Sequence, residues 1–241
     1  IVKDAFNKIR GAIYRNDNGI FTDTGTVLPI AEEGSMDWGD YDKDGDLDLL
    51  ITGFDRSSYQ CKTAIYRNDN GTFVDIEAGL SGVYTGSAEW GDYDNDGDLD
   101  ISLTGSTVSY DIHPAASPDA FIYRNDGNNT FTDINATIEG VMYSSSDWGD
   151  YDNDGDLDLI VTGITDWFAH ESISAMYRND EGVFADAGMN LPATVYGEGK
   201  WADYDNDNQP DLLLIGDGGY YGETQTVRLL YQSGASMPTE E

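Results

Sequence analysis

Leu49-Leu50-Ile51-Thr52, Leu159-Ile160-Val161-Thr162 and Leu212-Leu213-Leu214-Ile215 are short apolar runs bounded by glycine. Runs of this length, apolar at successive positions, read as strands covered on both faces. A second pattern alternates with them. Ala12 to Phe21 (AIYRNDNGIF) recurs as Ala64 to Phe73, Phe121 to Phe131 and Ala175 to Phe184, and Leu229-Leu230-Tyr231-Gln232 begins a fifth copy. Each copy is a strand, an Asn/Asp/Gly turn and a second strand, which is a hairpin signal. The hairpin tyrosines, Tyr14, Tyr66, Tyr123, Tyr177 and Tyr231, are spaced by 52, 57, 54 and 54 residues. Fixed periods of this length mark a repeat architecture.

Four strands fit each period. Strand a ends at Trp-Gly or Trp-Ala (Trp38, Trp90, Trp148, Trp201), and strand b is the apolar run ending near Gly53, Gly105, Gly163 or Gly216. Strand c carries Tyr-Arg-Asn, and strand d carries Phe21, Phe73, Phe131 or Phe184. Because strand b is apolar on both faces, each sheet needs a cover on both sides. Four-stranded antiparallel sheets set radially, each packed between its neighbours, supply it, so the pattern predicts an all-β fold, a β-propeller. A parallel solenoid is disfavoured, because hairpins pair strands antiparallel. The expected organisation is a single repeat domain over residues 1–241: a partial blade over 1–30, complete blades over 31–80, 81–140 and 141–190, and a partial blade over 191–241. That makes three complete and two partial blades. The chain opens at Ile1 inside a blade with no signal peptide, so a trimmed piece of a longer polypeptide is expected. Unpaired strand edges also invite head-to-tail self-assembly. The four in-register tryptophans are expected between blades, and Arg15, Arg67, Arg124 and Arg178 are expected to pair with neighbouring aspartates.

The most constant stretch joins strands a and b. Asp40-Tyr41-Asp42-Lys43-Asp44-Gly45-Asp46-Leu47-Asp48 returns at Asp92–Asp100, at Asp150–Asp158 and, altered, at Asp203–Asp211, at intervals of 52, 58 and 53 residues. Positions 1, 3, 5 and 9 are carboxylates: Asp40, Asp42, Asp44 and Asp48; Asp92, Asp94, Asp96 and Asp100; Asp150, Asp152, Asp154 and Asp158; Asp203, Asp205, Asp207 and Asp211. A hard divalent cation taking roughly six to eight oxygen ligands meets such crowding, which points to Ca²⁺, about four ions in all. Glycine at position 6 lets the loop reverse through positive φ. An EF-hand loop shares the opening D-x-D-x-D-G but needs Glu at position 12 between two helices. Here position 12 is Ile51, Leu103, Val161 or Leu214, and the flanks read as strands.

The pattern W-G-D-Y-D-N-D-G-D-L-D-L followed by Y-R-N-D-G-T-F-x-D resembles the FG-GAP/VCBS repeats of integrin α-subunit propellers, some fungal lectins and many secreted bacterial proteins. The resemblance runs over essentially the whole chain and implies calcium-binding blades. In that family the side chains at positions 1, 3, 5 and 9 and the carbonyl at position 7 hold Ca²⁺. Carried over, position 7 adds Asp46, Asp98, Asp156 and Gln209. The fourth loop departs, with Asn208 in the glycine position and Gln209-Pro210 before Asp211. Asparagine tolerates the left-handed backbone and the four carboxylates survive, so the site is kept, with weaker affinity expected.

Charge narrows the partners. The chain carries 46 Asp and Glu against 12 Lys and Arg, a net −34 at pH 7. Four divalent ions would bring that only to about −26, which argues against nucleic acid or an anionic membrane. No apolar run approaches a membrane span. Cys61 stands alone, so no disulfide framework is available. Calcium loops that stay filled imply an extracellular location, secreted or cell-surface. Asn128-Asn129-Thr130 and Asn135-Ala136-Thr137 match the glycosylation sequon, a weak pattern.

Antiparallel order sends the a–b loops and c–d turns to one end of the ring, and the b–c and d–a connections to the other. The first end repeats and reads as scaffold. The second varies in length and carries off-register aromatics: Tyr59, Tyr110, His113, Trp167, Phe168, His170, Tyr220 and Tyr221 in b–c connections, and Tyr84, Tyr143 and Tyr196 in d–a connections. Variable loops on a rigid scaffold are where binding tends to reside. Tyr110, His113, Trp167, Phe168, His170, Tyr220 and Tyr221 are therefore the candidate ligand residues. The competing reading is that such rings cover the apolar ends of the blades. With no Ser-His-Asp arrangement and most carboxylates committed to metal, no enzyme is expected. The leading expectation is a calcium-binding recognition or adhesion module for carbohydrate or protein. The alternative is a structural repeat unit of a surface fibril or large adhesin, assembling through its incomplete end blades.

Overall fold

The chain folds as strands throughout in a computed structural model that describes residues 2–3, 9–26, 28, 32–108, 117–218 and 225–230, with no helix among those residues. An N-terminal partial blade holds β1 (Val2–Lys3) paired with β2 (Ile9–Arg10), and β3 (Tyr14–Asp17) paired with β4 (Ile20–Asp23). Blade 1 is β5 (Met36–Gly39), β6 (Asp48–Asp55), β7 (Gln60–Asp69) and β8 (Thr72–Asp75). Blade 2 is β9 (Ala88–Gly91), β10 (Asp100–Ser106), β11 (Pro118–Asn125) and β12 (Phe131–Asp133). Blade 3 is β13 (Met142–Gly149), β14 (Asp158–Asp166), β15 (Glu171–Asp180) and β16 (Val183–Asp186). A C-terminal sheet of β17 (Val195–Ala202), β18 (Asp211–Asp217) and β19 (Gln225–Leu230) follows. Within every sheet, neighbours in sequence pair antiparallel. The inner strands β5, β9, β13 and β17 adjoin in that order. This is the expected β-propeller of four-stranded blades. The fifth hairpin copy at Tyr231-Gln232 lies outside the described residues.

Burial explains the architecture. Every residue from Asp48 to Phe54, Asp100 to Ser106 and Asp158 to Ile164 is buried, because each of these second strands has a sheet against both faces. In β18, Leu213 and Ile215 are 40% and 44% exposed. No described sheet follows to cover them.

Blades interlock through one aromatic device. The Trp90 ring stacks on Tyr41 of blade 1 at 5.8 Å and meets Phe131 of its own blade at 6.1 Å. Trp148 repeats this with Tyr93 at 6.4 Å and Phe184 at 6.0 Å. The indoles approach so closely because Gly39, Gly91 and Gly149 have no side chain. A Cβ there would stand 2.8, 2.6 and 2.5 Å from Cδ1 of Trp90, Trp148 and Trp201. Trp38 departs from its expected place between blades. It is 42% exposed, with an edge contact to Phe73 at 5.9 Å, because no described strand with an equivalent glycine stands against it. The arginines behave as expected. Arg15, Arg67, Arg124 and Arg178 each pair with the aspartate two residues on, Asp17, Asp69, Asp126 and Asp180.

Replacing Gly91 with Ala is expected to force the Trp148 indole aside and to destabilise the fold by about 1–3 kcal/mol. A thermal melt of Gly91→Ala that superimposes on the wild type would contradict the interlock.

Candidate functional site

Each acidic loop is a stair of side chain to backbone hydrogen bonds. In loop 1 the Asp42 carboxylate accepts Asp44 N–H at 3.2 Å, Asp44 accepts Asp46 N–H at 2.9 Å, and Asp40 Oδ2 accepts Gly45 N–H at 3.1 Å. Position 6 is left-handed in all four loops, at φ 96°, 89° and 101° for Gly45, Gly97 and Gly155 and 66° for Asn208. The asparagine thus takes the glycine conformation. This winding gathers Asp40, Asp42 and Asp48; Asp92, Asp94 and Asp96; Asp150, Asp152 and Asp158; and Asp203, Asp205 and Asp211 so that one oxygen from each lies within 4.8 Å of the others in its group. Oxygens on opposite sides of one Ca²⁺ ion stand about 5 Å apart, so the groups have the size of a cation shell. The position-5 carboxylates Asp44, Asp96, Asp154 and Asp207 all accept the N–H of position 7, and in loop 2 Asp96 takes the place in the group that position 9 holds in the other three. Position-7 side chains turn away from the loop centre: Asp46 and Asp156 accept hairpin N–H groups of Asn70 and Glu181 at 2.8 and 3.0 Å.

Position 9 is the buried member. Asp48, Asp100 and Asp158 have no exposed surface and Asp211 is 2% exposed. Asp100 accepts N–H groups from Tyr93 at 3.2 Å and Asn125 at 2.8 Å, and Asp48 and Asp158 repeat this with Tyr41 and Asn68 and with Tyr151 and Asn179. Desolvation nevertheless dominates, pushing Asp48 and Asp158 up to about 6 and Asp100 up to about 7. Asp42, Asp94 and Asp152 are raised as well, by burial first and then by their acidic neighbours. One observation tests directly whether these residues fit a cation. Asp40 Oδ1 and Asp92 Oδ1 are buried and accept no hydrogen bond. A buried charged oxygen left without a donor is costly, and a metal ion in the loop is the partner that geometry allows.

Sequence reasoning gave no role to the asparagine of Tyr-Arg-Asn. Asn125 Nδ2 donates to the carbonyls of Tyr41 in the preceding blade's loop, at 3.3 Å, and of Leu99 in its own, at 3.2 Å. Asn179 does the same with Tyr93 at 2.8 Å and Leu157 at 3.1 Å. The available signal was its recurrence in register with the loops.

At the opposite end each inner strand begins with a bulge. Glu33, Thr85, Tyr143 and Tyr196 are left-handed, at φ 51°, 52°, 48° and 53°. Thr85 N–H donates to the Glu33 carbonyl at 2.7 Å and Ser144 N–H to the Thr85 carbonyl at 3.3 Å, linking successive blades. Of the candidate ligand residues, Trp167, Phe168 and His170 share the turn between β14 and β15, with Phe168 and His170 exposed. Trp167 is half-buried, packed at 5.4 Å on Tyr143 and against the cluster of Met142, Ile164 and Val195, so it caps the blade end. Tyr143 meets Tyr196 at 4.8 Å. Tyr84 is buried under Phe54 at 6.0 Å. Tyr110, His113, Tyr220 and Tyr221 lie outside the described residues. A cleft of about 520 Å³ opens between blades 1 and 2, walled by Tyr59, Gln60, Cys61, Ser81, Thr107 and Val108. Among these, sequence reasoning had noted Tyr59 alone as a surface ring.

Radial four-stranded sheets with a metal-sized acidic loop between their first two strands define a β-propeller with acidic a–b loops. Residues 40–102 and 111–161 match the model of the FG-GAP-like repeat family, and the acidic loops of blades 1, 2 and 3 fall inside the matched segments. Among curated proteins none matches the chain. Of solved structures, a lectin of Agrocybe aegerita, described for specific recognition of non-reducing terminal N-acetylglucosamine, is similar with a TM-score of 0.52 and 18% identity over 87% of this chain. The match covers 58% of the lectin chain, so this chain spans little more than half of that protein's length. The likeness establishes a common fold.

The raised carboxyls fix the sign of a pH effect. Asp48, Asp100 and Asp158, and Glu89, which burial pushes up to about 7, hold protons in the folded metal-free chain at pH values where the unfolded chain has released them. Stability from these groups is therefore complete in the acid range and is lost as pH rises through about 6 to 7. Metal-stripped protein is expected to melt higher at pH 5.5 than at pH 7.5, and ion-loaded protein lower, because protons compete with the ion. Calorimetric scans showing the same pH trend with and without ion would contradict this.

Proposed function

We propose that the protein is an extracellular, calcium-stabilised recognition module that binds carbohydrate at the propeller end opposite its acidic loops. The ion half of this reading is supported by the four carboxylate groups and by the unpartnered oxygens of Asp40 and Asp92. Asp40, Asp42, Asp44 and Asp48 and their counterparts, with the position-7 carbonyl, would hold the ion. Calcium fits this all-protein oxygen set better than magnesium, which keeps most of its water. What the ion supplies is positive charge at a point where the chain has buried several negative ones. An extracellular setting matches this reading, since calcium is abundant there.

The observation that carries the recognition half is the cleft beside Tyr59. Its volume falls within the roughly 300–1,000 Å³ of small-ligand sites. Tyr59 is 62% exposed and stands edge-on to Phe54 at 6.3 Å, which steadies the ring while leaving its face open. Beside it are the amide of Gln60 and the hydroxyls of Ser81 and Thr107. A ring face for the C–H side of a sugar, with amide and hydroxyl groups for its hydroxyls, is the chemistry a monosaccharide needs. Ligands with strong negative charge are disfavoured by the net −34.

Two outcomes are expected. Stripping calcium lowers the melting temperature, and Asp94→Ala lowers it in calcium but changes little once chelator is present. An unchanged melt in chelator would overturn the ion half. On a glycan array the wild type gives a sugar-specific signal that Tyr59→Asn, a change that keeps a residue at ease with the φ of 54°, reduces more than about tenfold. Binding to no glycan would overturn the carbohydrate half and turn attention to a protein partner.

A further inference from the structure

Loops 2 and 3 share the same nine residues, DYDNDGDLD, at Asp92–Asp100 and Asp150–Asp158, yet they do not share surroundings. From each loop the side chain at position 4, itself left-handed (Lys43 φ 61°, Asn95 φ 58°, Asn153 φ 58°), reaches position 7 of the next loop. Lys43 Nζ lies 2.6 Å from Asp98 Oδ1. Asn95 Nδ2 donates to the Gly155 carbonyl at 3.1 Å and to Asp156 Oδ1 at 2.9 Å. Asn153 Nδ2 donates to Gln209 Oε1 at 3.3 Å. Four successive loops are thus tied edge to edge by one position; the hairpin arginines Arg124 and Arg178 stand by position 3 of loops 2 and 3 alike, but from its neighbour loop 2 receives an ammonium where loop 3 receives a neutral amide.

The ammonium faces the loop as a whole. A Cβ on Gly97 would stand 3.5 Å from Lys43 Nζ. A lysine ammonium at its ordinary pKa is charged at neutral pH. A standing positive charge beside a cation site opposes the entry of a second cation, and a neutral amide in the same place does not.

We propose that Lys43 is an affinity-setting residue: resting on the calcium reading above, its ammonium makes loop 2 hold a divalent ion less tightly than loop 3 does, although the two loops are identical in sequence. A unit charge facing a divalent ion across several ångströms of well-hydrated surface changes a binding constant by about tenfold at low salt. Lys43 is 55% exposed, so the difference shrinks as ionic strength rises. The bland alternative is an ordinary surface ion pair, which contributes little to anything.

Calorimetric titration with Ca²⁺ alone separates the two. In Asp152→Ala protein, where loop 3 is silenced, Lys43→Asn is expected to tighten one binding step about tenfold at low salt and by much less at high salt. In Asp94→Ala protein, where loop 2 is silenced, Lys43→Asn changes no step, and Asn95→Lys weakens one. Lys43→Asn in the otherwise intact chain tightens one step by the same factor, which keeps the test valid if a silenced background fails to fold. A change below about twofold, or one that persists in the Asp94→Ala background, overturns the proposal while leaving calcium binding intact. A wild-type chain that takes up no ion overturns the calcium reading and this proposal with it.

Discussion

A single buried carboxylate per blade holds the repeat together. Asp48, Asp100 and Asp158 have lost all contact with water, and each spans its blade by accepting one N–H from the start of the a–b loop and one from strand c. The strand c residue that donates is the asparagine whose own amide reaches the preceding blade's loop in two of the three cases, through Asn125 and Asn179. Loop winding, hairpin attachment and blade-to-blade contact therefore converge on one charge. Two N–H donors do not offset its desolvation, as its raised carboxyl shows. Burying an ion without compensation is among the largest penalties a fold can carry, and it is this penalty that a bound proton, or the cation proposed above, would relieve.

The chain supplies its own cation in some acidic places and not in others. Along the axis, Lys200 reaches Asp147 at 2.7 Å and Glu89 at 3.5 Å, across two blade boundaries. Asp37 and Asp147 there also accept the backbone N–H of Trp90 and Trp201, at 2.9 and 3.0 Å. On the hairpins, each Tyr-Arg-Asn arginine is neutralised by the aspartate two residues on. Among the described residues, each acidic loop gathers three carboxylates, and the nearest cations stand at the rim, as Arg178 does at 3.9 Å from Asp152. Lys43 stands over the rim of loop 2, at position 7, rather than within it. Among the described residues, Lys200 thus serves the axis, the arginines the hairpins and Lys43 a loop rim, and the outside ion proposed above would serve the loop centres.

Features that recur with the period were legible in the sequence, and features that depend on what meets across blades were not. Strand order, the loops and the arginine pairs follow from spacing, because each is settled within one repeat. Trp38 could not be placed that way, since its burial requires a neighbouring glycine that the described strands do not provide. Tyr84 and Tyr143 look alike on the page but sit one position apart relative to the bulge. In a strand a one-residue offset exchanges faces, so Tyr84 turns inward under Phe54 while Tyr143 joins Tyr196 at the surface. The cleft residues Gln60, Ser81 and Thr107 come from two blades and a connection between them. No local pattern marks any of them.

The two ends of the propeller are mechanically joined by short inner strands. From Thr85 in the bulge to Asp92 at the head of loop 2 is about 23 Å at about 3.3 Å per residue, with β9 between them. At one end, Asn125 and Asn179 fix the spacing of successive blades through loop carbonyls. At the other, Thr85 and Ser144 fix it through the bulge ladder. The Tyr59 cleft lies in the gap whose width these two sets of bonds determine. A cleft assembled from two separate sheets keeps its shape only if their separation is fixed, and the acidic loops and the bulge ladder fix it from opposite ends.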